Sequence, residues 1–393
     1  MKSYLFYIFL IFPFGMVFSQ VEKTEEINTN TNTNKSLLNN TLSIPVELES
    51  IKTAKKEKDA KRLEAEPMLE EISVPADPTA VDKNAESKMD SDVIGGSAVQ
   101  ITNYKSSFKN YSEQRTQRSL SVEQSDEMED LLRDLSSQSP ASFESYLFYY
   151  LNGQNDLTRS RALLKANELK PNDVQVQEEM LTYYVLMNKS DETRQTLLNL
   201  SQKDIYSESA ELYGQDMINS APSNSTLITH GDEDSYGAMY ALKVKRERED
   251  VEIISLDWLT SPQYRTNLKI KGWKLPTSDF IDTKYLQEFC ELNKDKTIAI
   301  SMTLPKEYLI PILDKLYVSG LVFEYLDVPT DLSLRNQELW KTKLNKKLID
   351  SEDKGLVNNY LPMLFQLKKI YQADGNTDVV NDIESAIQTI TNR

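Results

Sequence analysis

The sequence contains one cysteine, Cys290, and one histidine, His230, among 393 residues. A zinc site of cysteine and histidine ligands needs several such side chains, so these counts exclude it. A single cysteine also excludes an intrachain disulfide. The chain has no G-x-G-x-x-G run and no G-x-S-x-G run, which removes the usual dinucleotide-binding loop and the usual serine-nucleophile turn. We therefore assign no cofactor, no metal and no catalytic residue.

Positive charge is also scarce. Lysine and arginine number 45 against 61 aspartate and glutamate residues, which gives a formal net charge of −16 and a pI near 4.8. Such a chain is repelled by the phosphates of nucleic acids and by anionic membranes. We expect no nucleic-acid partner.

The first residues of the chain predict its compartment. Lys2 supplies a positive start, an apolar run extends from Tyr4 to Phe14, and Ser19 is the small residue that a cleavage point requires. This pattern is typical of a secretory signal peptide over residues 1–19, with a mature chain that starts at Gln20. A membrane anchor is the alternative, but the apolar stretch is at the lower edge of spanning length. We expect a periplasmic protein that does not span a membrane after cleavage. Association with the outer membrane is compatible with a periplasmic location.

Residues 20–138 predict a long disordered tether. The segment contains the repetitive run Asn28–Asn34 and several proline-interrupted stretches, and most of it has too few apolar side chains to offset the entropy of ordering. Val122–Leu135 is an exception, since its apolar residues have helical spacing. A spacer is the simpler interpretation. The alternative is a tail that orders on contact with a partner, and Val93–Tyr111, with its glycine pair and aromatic residues, is the place to look for it.

Residues 139–221 contain an internal sequence repeat. The pair Tyr149-Tyr150 recurs as Tyr183-Tyr184, and Leu163-Leu164 recurs as Leu197-Leu198, in both cases 34 residues later. That period is typical of tetratricopeptide repeats, in which helix pairs stack. So short an array is marginally stable alone, so we expect it to pack on the next domain. Aromatic residues at this phase usually fill the core, and the alternative is that Tyr149 and Tyr183 contact a partner.

Residues 222–330 predict a Rossmann-like α/β domain. A β-rich run over Ser225–Thr229 is followed by Gly231, by helix-capping residues, and by a second β-rich run that ends at Leu256. A strand, a helix and a strand in this order predict a parallel βαβ unit, with Leu227–Thr229 beside Glu252–Leu256.

The pattern continues to Leu326. Thr297–Met302 and Leu321–Leu326 predict two more strands, and Lys306–Val318 predicts a crossover helix with Gly320 as its C-cap. The predicted fold class is α/β plus all-α. We expect a small, mostly parallel, three-layer sheet flanked by tetratricopeptide-like helical hairpins, after the disordered N-terminal segment.

Acidic residues follow the predicted strands at the edge where α/β proteins usually bind ligands. The candidate ligand-binding residues are His230, Asp232, Asp234 and Asp257. Their carboxylates could hold Mg²⁺ or Ca²⁺, and the imidazole could carry a proton. The alternative is that Asp232 and Asp234 stabilise the start of the following helix, near its positive end.

The same stretch resembles a known family. Gly231-Asp-Glu-Asp-Ser-Tyr236, Asp250-Val-Glu-Ile-Ile-Ser-Leu256 and Gly320-Leu-Val-Phe-Glu-Tyr325 are similar to segments of a large Bacteroidetes envelope family. Its members are polytopic proteins described as protein O-mannosyltransferase-like, and a soluble α/β region with helical repeats follows their membrane part. The resemblance covers about residues 225–327 and departs at Glu233, where asparagine is typical, and at Gly237, where proline is typical. In that family the membrane part is expected to hold the catalysis. The resemblance therefore implies a shared accessory domain rather than a transferred activity.

Residues 331–393 predict a C-terminal helical hairpin or cap. Gly355–Tyr371 and Asp378–Thr391 carry apolar residues at helical spacing on either side of a turn. Before them, Asn336–Leu348 predicts a basic amphipathic helix. Within it, Lys343 and Lys346 are candidates for binding an acidic partner, and a solvated face is the alternative.

These patterns favour a non-catalytic periplasmic interaction or scaffold protein. A subunit of a Bacteroidetes cell-envelope machine, such as outer-membrane assembly or type IX secretion, would fit, with other envelope proteins as partners. One alternative is a cation-dependent enzyme or ligand-binding α/β domain that uses the acidic rim. A second alternative is a glycan- or peptidoglycan-binding module, for which the candidate exposed residues are Trp258, Trp273 and Trp340.

Overall fold

The computed structural model describes residues 91–351 and 353–392. The first helices are α1 (Ser91–Ser112), α2 (Val122–Gln138), α3 (Phe143–Asn152), α4 (Ser160–Leu169), α5 (Val174–Leu186), α6 (Ser190–Gln202) and α7 (Glu208–Ser220). The sheet region contains β1 (Thr226–Thr229), α8 (Asp232–Lys243), β2 (Glu252–Ser255), α9 (Pro262–Ile270), α10 (Thr283–Leu292), β3 (Ile298–Ser301), α11 (Lys306–Leu309), β4 (Leu316–Ser319) and β5 (Val322–Tyr325). The C-terminal helices are α12 (Ser333–Glu338), α13 (Lys354–Val357), α14 (Leu361–Ala373) and α15 (Thr377–Thr391). The predicted signal peptide and the tether up to residue 90 lie outside the described residues.

The described chain forms two compact units, and neither is continuous in sequence. The helical unit comprises residues 91–200 together with Leu256–Tyr285, and the sheet unit comprises Ser201–Ser255 together with residues 286–392. The predicted boundaries at 221/222 and 330/331 therefore do not separate the units. Each prediction assumed that a unit is one run of sequence, which long-range packing overrides.

The core of the helical unit is built from aromatic and aliphatic side chains of its first five helices. Tyr104 of α1 is fully buried, its ring stacks on Phe148 of α3 with centroids 4.0 Å apart, and its hydroxyl donates to the Phe148 carbonyl at 3.0 Å. Met128, Leu132 and Leu135 of α2 are 5% exposed or less. Buried apolar area of this kind is the main source of folding free energy.

The helical unit therefore starts well before residue 139. Residues 91–138, predicted as part of a disordered tether, contain α1 and α2, which pack against each other. A few apolar residues at helical spacing are enough here because they insert into a core that other helices complete. Val93–Tyr111, the predicted partner-ordered stretch, lies within α1.

Only some of the residue pairs in the 34-residue sequence repeat are buried to the same extent. Leu163 of α4 and Leu197 of α6 are both fully buried, whereas Tyr149 is 45% exposed and its counterpart Tyr183 is 8% exposed. The second helices of the two pairs thus share a register, and the tyrosine pairs do not occupy equivalent positions. Assignment to tetratricopeptide repeats stays a prediction.

The sheet has five strands in the order β2-β1-β3-β5-β4. β1 is parallel to both of its neighbours, with Leu227 opposite Ile253 of β2 and opposite Ala299 of β3. All four residues of β1, β3 and β5 are buried, as expected for strands covered on both faces. The predicted parallel βαβ unit is confirmed.

The strands β4 and β5 differ from the predicted mostly parallel sheet. β5 is antiparallel to both β3 and β4, so the sheet is mixed rather than mostly parallel. The predicted crossover helix over Lys306–Val318 is wrong, because α11 ends at Leu309, a 3-10 turn follows, and Leu316–Ser319 forms β4. Gly320 does not cap a helix. It has a φ of +58° and is the first of the two residues that join β4 to β5, a position that favours glycine in tight hairpins.

Helices α7 and α8 pack with their backbones in contact. A Cβ atom added to Gly214 of α7 would lie 2.1 Å from the carbonyl carbon of Gly237 in α8. A Cβ atom added to Gly237 would lie 2.2 Å from the carbonyl oxygen of Ala210. Because only hydrogen atoms fit between these helices, α7 is fixed to the βαβ unit rather than to the helices that precede it in sequence.

The segment that follows β2, Leu256–Tyr285, belongs to the helical unit and is hydrogen-bonded to it. The Arg118 backbone N–H donates to the Ile281 carbonyl at 2.7 Å, and the Ser119 hydroxyl accepts the Ile281 N–H at 2.9 Å. The Thr260 hydroxyl donates to the Gln154 carbonyl at 2.9 Å. These bonds explain why Leu256–Tyr285 belongs with α1 to α6. Within the described ranges, no helix has both the length and the apolar character that crossing a membrane requires.

Candidate functional site

The acidic rim is centred on Asp234, the third residue of α8. Its carboxylate accepts the backbone N–H groups of His230 and Gly231, each at 2.8 Å, and the hydroxyl of Thr303 at 2.7 Å. A helix N-terminus leaves backbone N–H groups without partners inside the helix, and a carboxylate near them is stabilising. Asp234 therefore closes the turn from β1 into α8 and ties it to the end of β3.

Buried hydroxyl groups extend this network along both strands. The Thr303 hydroxyl donates to Asp234, so the Ser301 hydroxyl, 2.6 Å away, donates to Thr303. In the same way the Ser235 hydroxyl donates to the Gly231 carbonyl, so Thr229, also 2.6 Å distant, donates to Ser235. Each proton has one acceptor, which is the arrangement expected of a buried network that fixes structure.

The other two rim residues of the sheet unit lie beside this network. His230 is half-buried, and its ring packs edge-on against Tyr308 with the centroids 5.6 Å apart. Asp232 is half-buried in the first turn of α8. The structure thus brings His230, Asp232 and Asp234 together at the β1–α8 turn, and it gives Asp234 the capping role that was the alternative to ligand binding.

Asp257 is used differently. It belongs to the helical unit, where its carboxylate forms an ion pair with Arg118. Its backbone carbonyl accepts the Asn155 side-chain amide at 3.0 Å. Among the residues that the structure describes, no group of three or more histidine, cysteine, aspartate or glutamate side chains is arranged to hold a metal ion.

The two tyrosines predicted as partner contacts, Tyr149 and Tyr183, differ in exposure. Tyr149 is 45% exposed, and the Arg159 guanidinium lies 4.6 Å from its ring centroid. Tyr183 is 8% exposed and sits in the core of the helical unit. Burial of Tyr183 corrects its prediction as a partner contact, because little of its side chain is accessible.

The basic segment of the C-terminal region is not one helix. α12 ends at Glu338, a π-helical turn spans Leu339–Lys343, and a 3-10 turn spans Lys346–Asp350. This corrects the predicted continuous helix over Asn336–Leu348. All the lysines of the segment are exposed, and we call them the lysine turn: Lys341, Lys343, Lys346 and Lys347.

A buried carboxylate that sequence reasoning missed lies under the lysine turn. Asp216 of α7 is fully buried, and its two oxygens accept the Asn345 backbone N–H at 2.8 Å each. The Tyr360 hydroxyl donates to the same carboxylate at 2.5 Å. Burial raises the pKa of Asp216 to about 6, with these hydrogen bonds opposing the rise and the Glu247 charge adding to it. Its only sequence signal is an acid on the buried phase of an amphipathic helix.

The tryptophans proposed for glycan binding are not on the surface. Trp258, Trp273 and Trp340 are 2%, 6% and 5% exposed. The prediction that they are exposed is wrong, since each fills a core position where a large apolar ring is favourable. The aromatic platform on which the glycan-binding alternative depended is therefore buried.

The helical unit has one more surface feature, a groove of about 420 Å³. Its lining is mostly apolar and consists of Leu157, Thr158, Leu186, Met187, Gln263 and Asn267. Gln263 is already engaged, since its amide donates to Asp156 at 2.9 Å and its carbonyl accepts the Leu157 N–H at 3.1 Å.

Comparison with known proteins gives one partial match. Residues 210–300 match the family model described as TMEM260-associated domain 2. No curated protein and no solved structure matches the chain. The matched segment runs from α7 into β3, so it contains the backbone-packed helix pair, the βαβ unit and Asp234. It overlaps the stretch, about residues 225–327, that resembles O-mannosyltransferase-like envelope proteins.

Proposed function

We propose that this chain is a non-catalytic interaction protein of a bacterial cell envelope, exported to the periplasm, that docks to other envelope proteins. The observation that carries the proposal is that carboxylates of the acidic rim are already engaged in hydrogen bonds and an ion pair within the chain. Asp234 is occupied by three hydrogen bonds and Asp257 by Arg118. Residues engaged in this way hold the fold together and are poorly placed to exchange ligands or protons during turnover.

Exposed side chains supply the docking surfaces. Tyr149 on α3 presents an aromatic ring held by Arg159, and aromatic and arginine side chains are enriched where proteins bind each other. Lys343 and Lys346 are exposed on the other unit. Export and the Bacteroidetes-type envelope rest on the N-terminal sequence pattern and on the family resemblance.

The match to TMEM260-associated domain 2 supports an accessory role. In the envelope family that the chain resembles, the corresponding soluble region follows a membrane part that is expected to hold the catalysis. We infer that the βαβ unit and its α7 partner form such an accessory domain. In this chain it would serve assembly, and glycosyl transfer would belong to another protein.

Two measurements test this proposal. The tagged full-length chain is expressed in the organism it comes from and is cross-linked there. The cells are then separated into cytoplasmic, periplasmic and outer-membrane fractions, and the chain is purified from each fraction under denaturing conditions. We expect recovery from the periplasmic or outer-membrane fraction with an envelope protein in stoichiometric amount. Recovery from the cytoplasm, or recovery with no stoichiometric partner, would overturn it.

The rim is tested separately by calorimetric titration of the purified chain with Mg²⁺ and Ca²⁺. We expect no binding heat in the micromolar range. Saturable heat that disappears in Asp232→Ala would instead establish the rim as a cation site, and the non-catalytic interpretation would then be withdrawn.

A further inference from the structure

The lysine turn is displayed on a backbone that the interior holds in place. Leu344, Leu348 and Ile349, which alternate with the lysines, are 8%, 1% and 7% exposed. Between Lys343 and Lys346, the Asn345 N–H is bound by both oxygens of the buried Asp216. A surface that is already ordered loses little conformational entropy when it binds.

The backbone of this surface is unusual. The Leu344 N–H donates to the Leu339 carbonyl at 3.0 Å, which is the five-residue hydrogen bond of a π-helical turn. Single π-helical turns are rare and occur often at functional sites. Here the turn changes the helical phase, so that Lys341 and Lys343 both remain exposed while Leu339 and Trp340, which precede them, and Leu344, which follows them, stay buried.

Two of the ammonium groups lie over aromatic rings. Lys346 Nζ is 4.3 Å from the Trp340 ring centroid, and Lys341 Nζ is 5.5 Å from that of Tyr371. Such cation–π contacts restrain a flexible side chain without neutralising it. Lys343 and Lys347 make neither a ring contact nor an ion pair with any described residue.

This concentration of unneutralised positive charge contrasts with the rest of the chain. The chain carries a net charge of −16, and several of its lysines are paired, such as Lys315 with Glu291 and Lys368 with Glu384. A local cluster that keeps its charge exposed in an acidic chain is complementary to an acidic ligand.

The ligand must be short. Glu338 and Asp350 are exposed at the two ends of the cluster, so a long polyanion would meet repulsion there. Charges beyond about 8–10 Å are screened at physiological ionic strength. A short acidic loop or tail of a partner protein would therefore sense the lysines, whereas a flat anionic membrane would also meet the surrounding acidic surface.

From this arrangement we propose that the lysine turn binds an acidic peptide segment of a partner protein, one with several aspartate or glutamate side chains close together. This inference rests on the proposed function, because it names the chemistry of the partner. Lys343 and Lys347 supply free charge, and Lys341 and Lys346 supply charge at fixed positions.

The test measures fluorescence anisotropy of a labelled hexaglutamate peptide with the full chain at low salt. The variant is Lys343→Gln with Lys347→Gln, which leaves both ring contacts intact. The matched control is Lys105→Gln with Lys109→Gln, which removes the same charge from exposed positions of α1. We expect the first variant to weaken binding about 3- to 30-fold, from the range for exposed ion pairs, and the control by less than about twofold.

Three results would overturn the proposal. The first is no binding of hexaglutamate above that of a hexaglutamine peptide. The second is an equal loss in the two double variants, which would reveal only a net-charge effect. The third is tighter binding to phosphatidylglycerol vesicles than to the peptide, lost in the same variant, which would identify a membrane ligand.

The two proposals fail separately. If the envelope cross-linking recovers a stoichiometric partner whose yield is unchanged in Lys343→Gln with Lys347→Gln, the docking role holds and the acidic ligand does not. If hexaglutamate binds through these lysines but no envelope partner is recovered, the surface chemistry holds and the proposed function does not.

Discussion

Asp216 makes the stability of the sheet unit depend on pH. Its pKa is about 6 in the folded chain and about 3.9 when unfolded. The folded state therefore binds its proton more tightly, so the stabilising contribution is complete below about pH 4 and is lost as the pH rises through about 6. The groups facing this carboxylate include Tyr360, Tyr213 and Glu247.

We expect Asp216→Asn to remove this dependence. The amide oxygen can still accept the Asn345 N–H, and no buried charge remains to be desolvated. The difference in unfolding free energy, variant minus natural chain, should rise by on the order of 1–3 kcal/mol between pH 4 and pH 7, because only the natural chain loses stability over that interval. Chemical denaturation at several pH values measures this. A difference that is constant over that interval would contradict it.

Asp234 provides a second test at the scale of one residue. Asp234→Ala leaves two backbone N–H groups and the Thr303 hydroxyl without their acceptor, so we expect a loss of about 1–3 kcal/mol of unfolding free energy. Asp378→Ala, which removes an exposed acid from the first turn of α15, is the control. Its loss should be below about 1 kcal/mol, since only the helix dipole is affected. Equal losses would mean that Asp234 acts only as a charge.

Residue roles were predictable where local chemistry decides them. An acid three residues after a glycine at a helix start favours capping, and Asp234 has that role. The burial of Trp258, Trp273 and Trp340 was not predictable, because it depends on which elements pack over them. Asp216 was missed for the same reason, since its partners Asn345 and Tyr360 are far away in sequence.

Among the elements, the contact between α7 and α8 is the most sensitive to substitution. Replacing a glycine inside an exposed helix by alanine usually stabilises the helix by about 1 kcal/mol. For Gly214→Ala and Gly237→Ala we expect the opposite sign, a loss of more than about 3 kcal/mol, because the new methyl group would overlap backbone atoms.

The control is Gly375→Ala. Gly375 has a φ of +70° and open space around it, so its substitution costs only the conformational strain of about 1 kcal/mol. Thermal unfolding of the three variants gives the comparison. Losses at Gly214 and Gly237 no larger than at Gly375 would show that the helices can separate at little cost.

Elements governed by local periodicity were predictable, and those governed by pairing partners were not. The βαβ unit follows from two β-branched runs on either side of a helix, and its strands pair as expected. The stretch after Pro311 has comparable helix and strand character, and its pairing with β5 decides in favour of β4. Strand propensity is strongly dependent on such neighbours.

For the whole molecule, the start of the helical unit is open to a direct test. A chain that begins at residue 139 lacks Tyr104, Met128, Leu132 and Leu135, which are buried against α3 and its neighbours. We expect it to bind a hydrophobic dye and to unfold at lower temperature than a chain that begins at residue 91, since several large apolar contacts are lost. Identical melting curves for the two chains would restore residues 91–138 to the role of a spacer.

The interleaving of the two units has a consequence for synthesis on the ribosome. Domains commonly fold as they emerge, the N-terminal one first. Here the helical unit still lacks Leu256–Tyr285 after all its helices up to α6 have appeared, and the sheet unit receives its first two strands before that segment exists. A chain released anywhere between residues 200 and 285 would therefore carry two unfinished cores, so premature termination in this interval should yield fragments destined for proteolysis rather than a free-standing half.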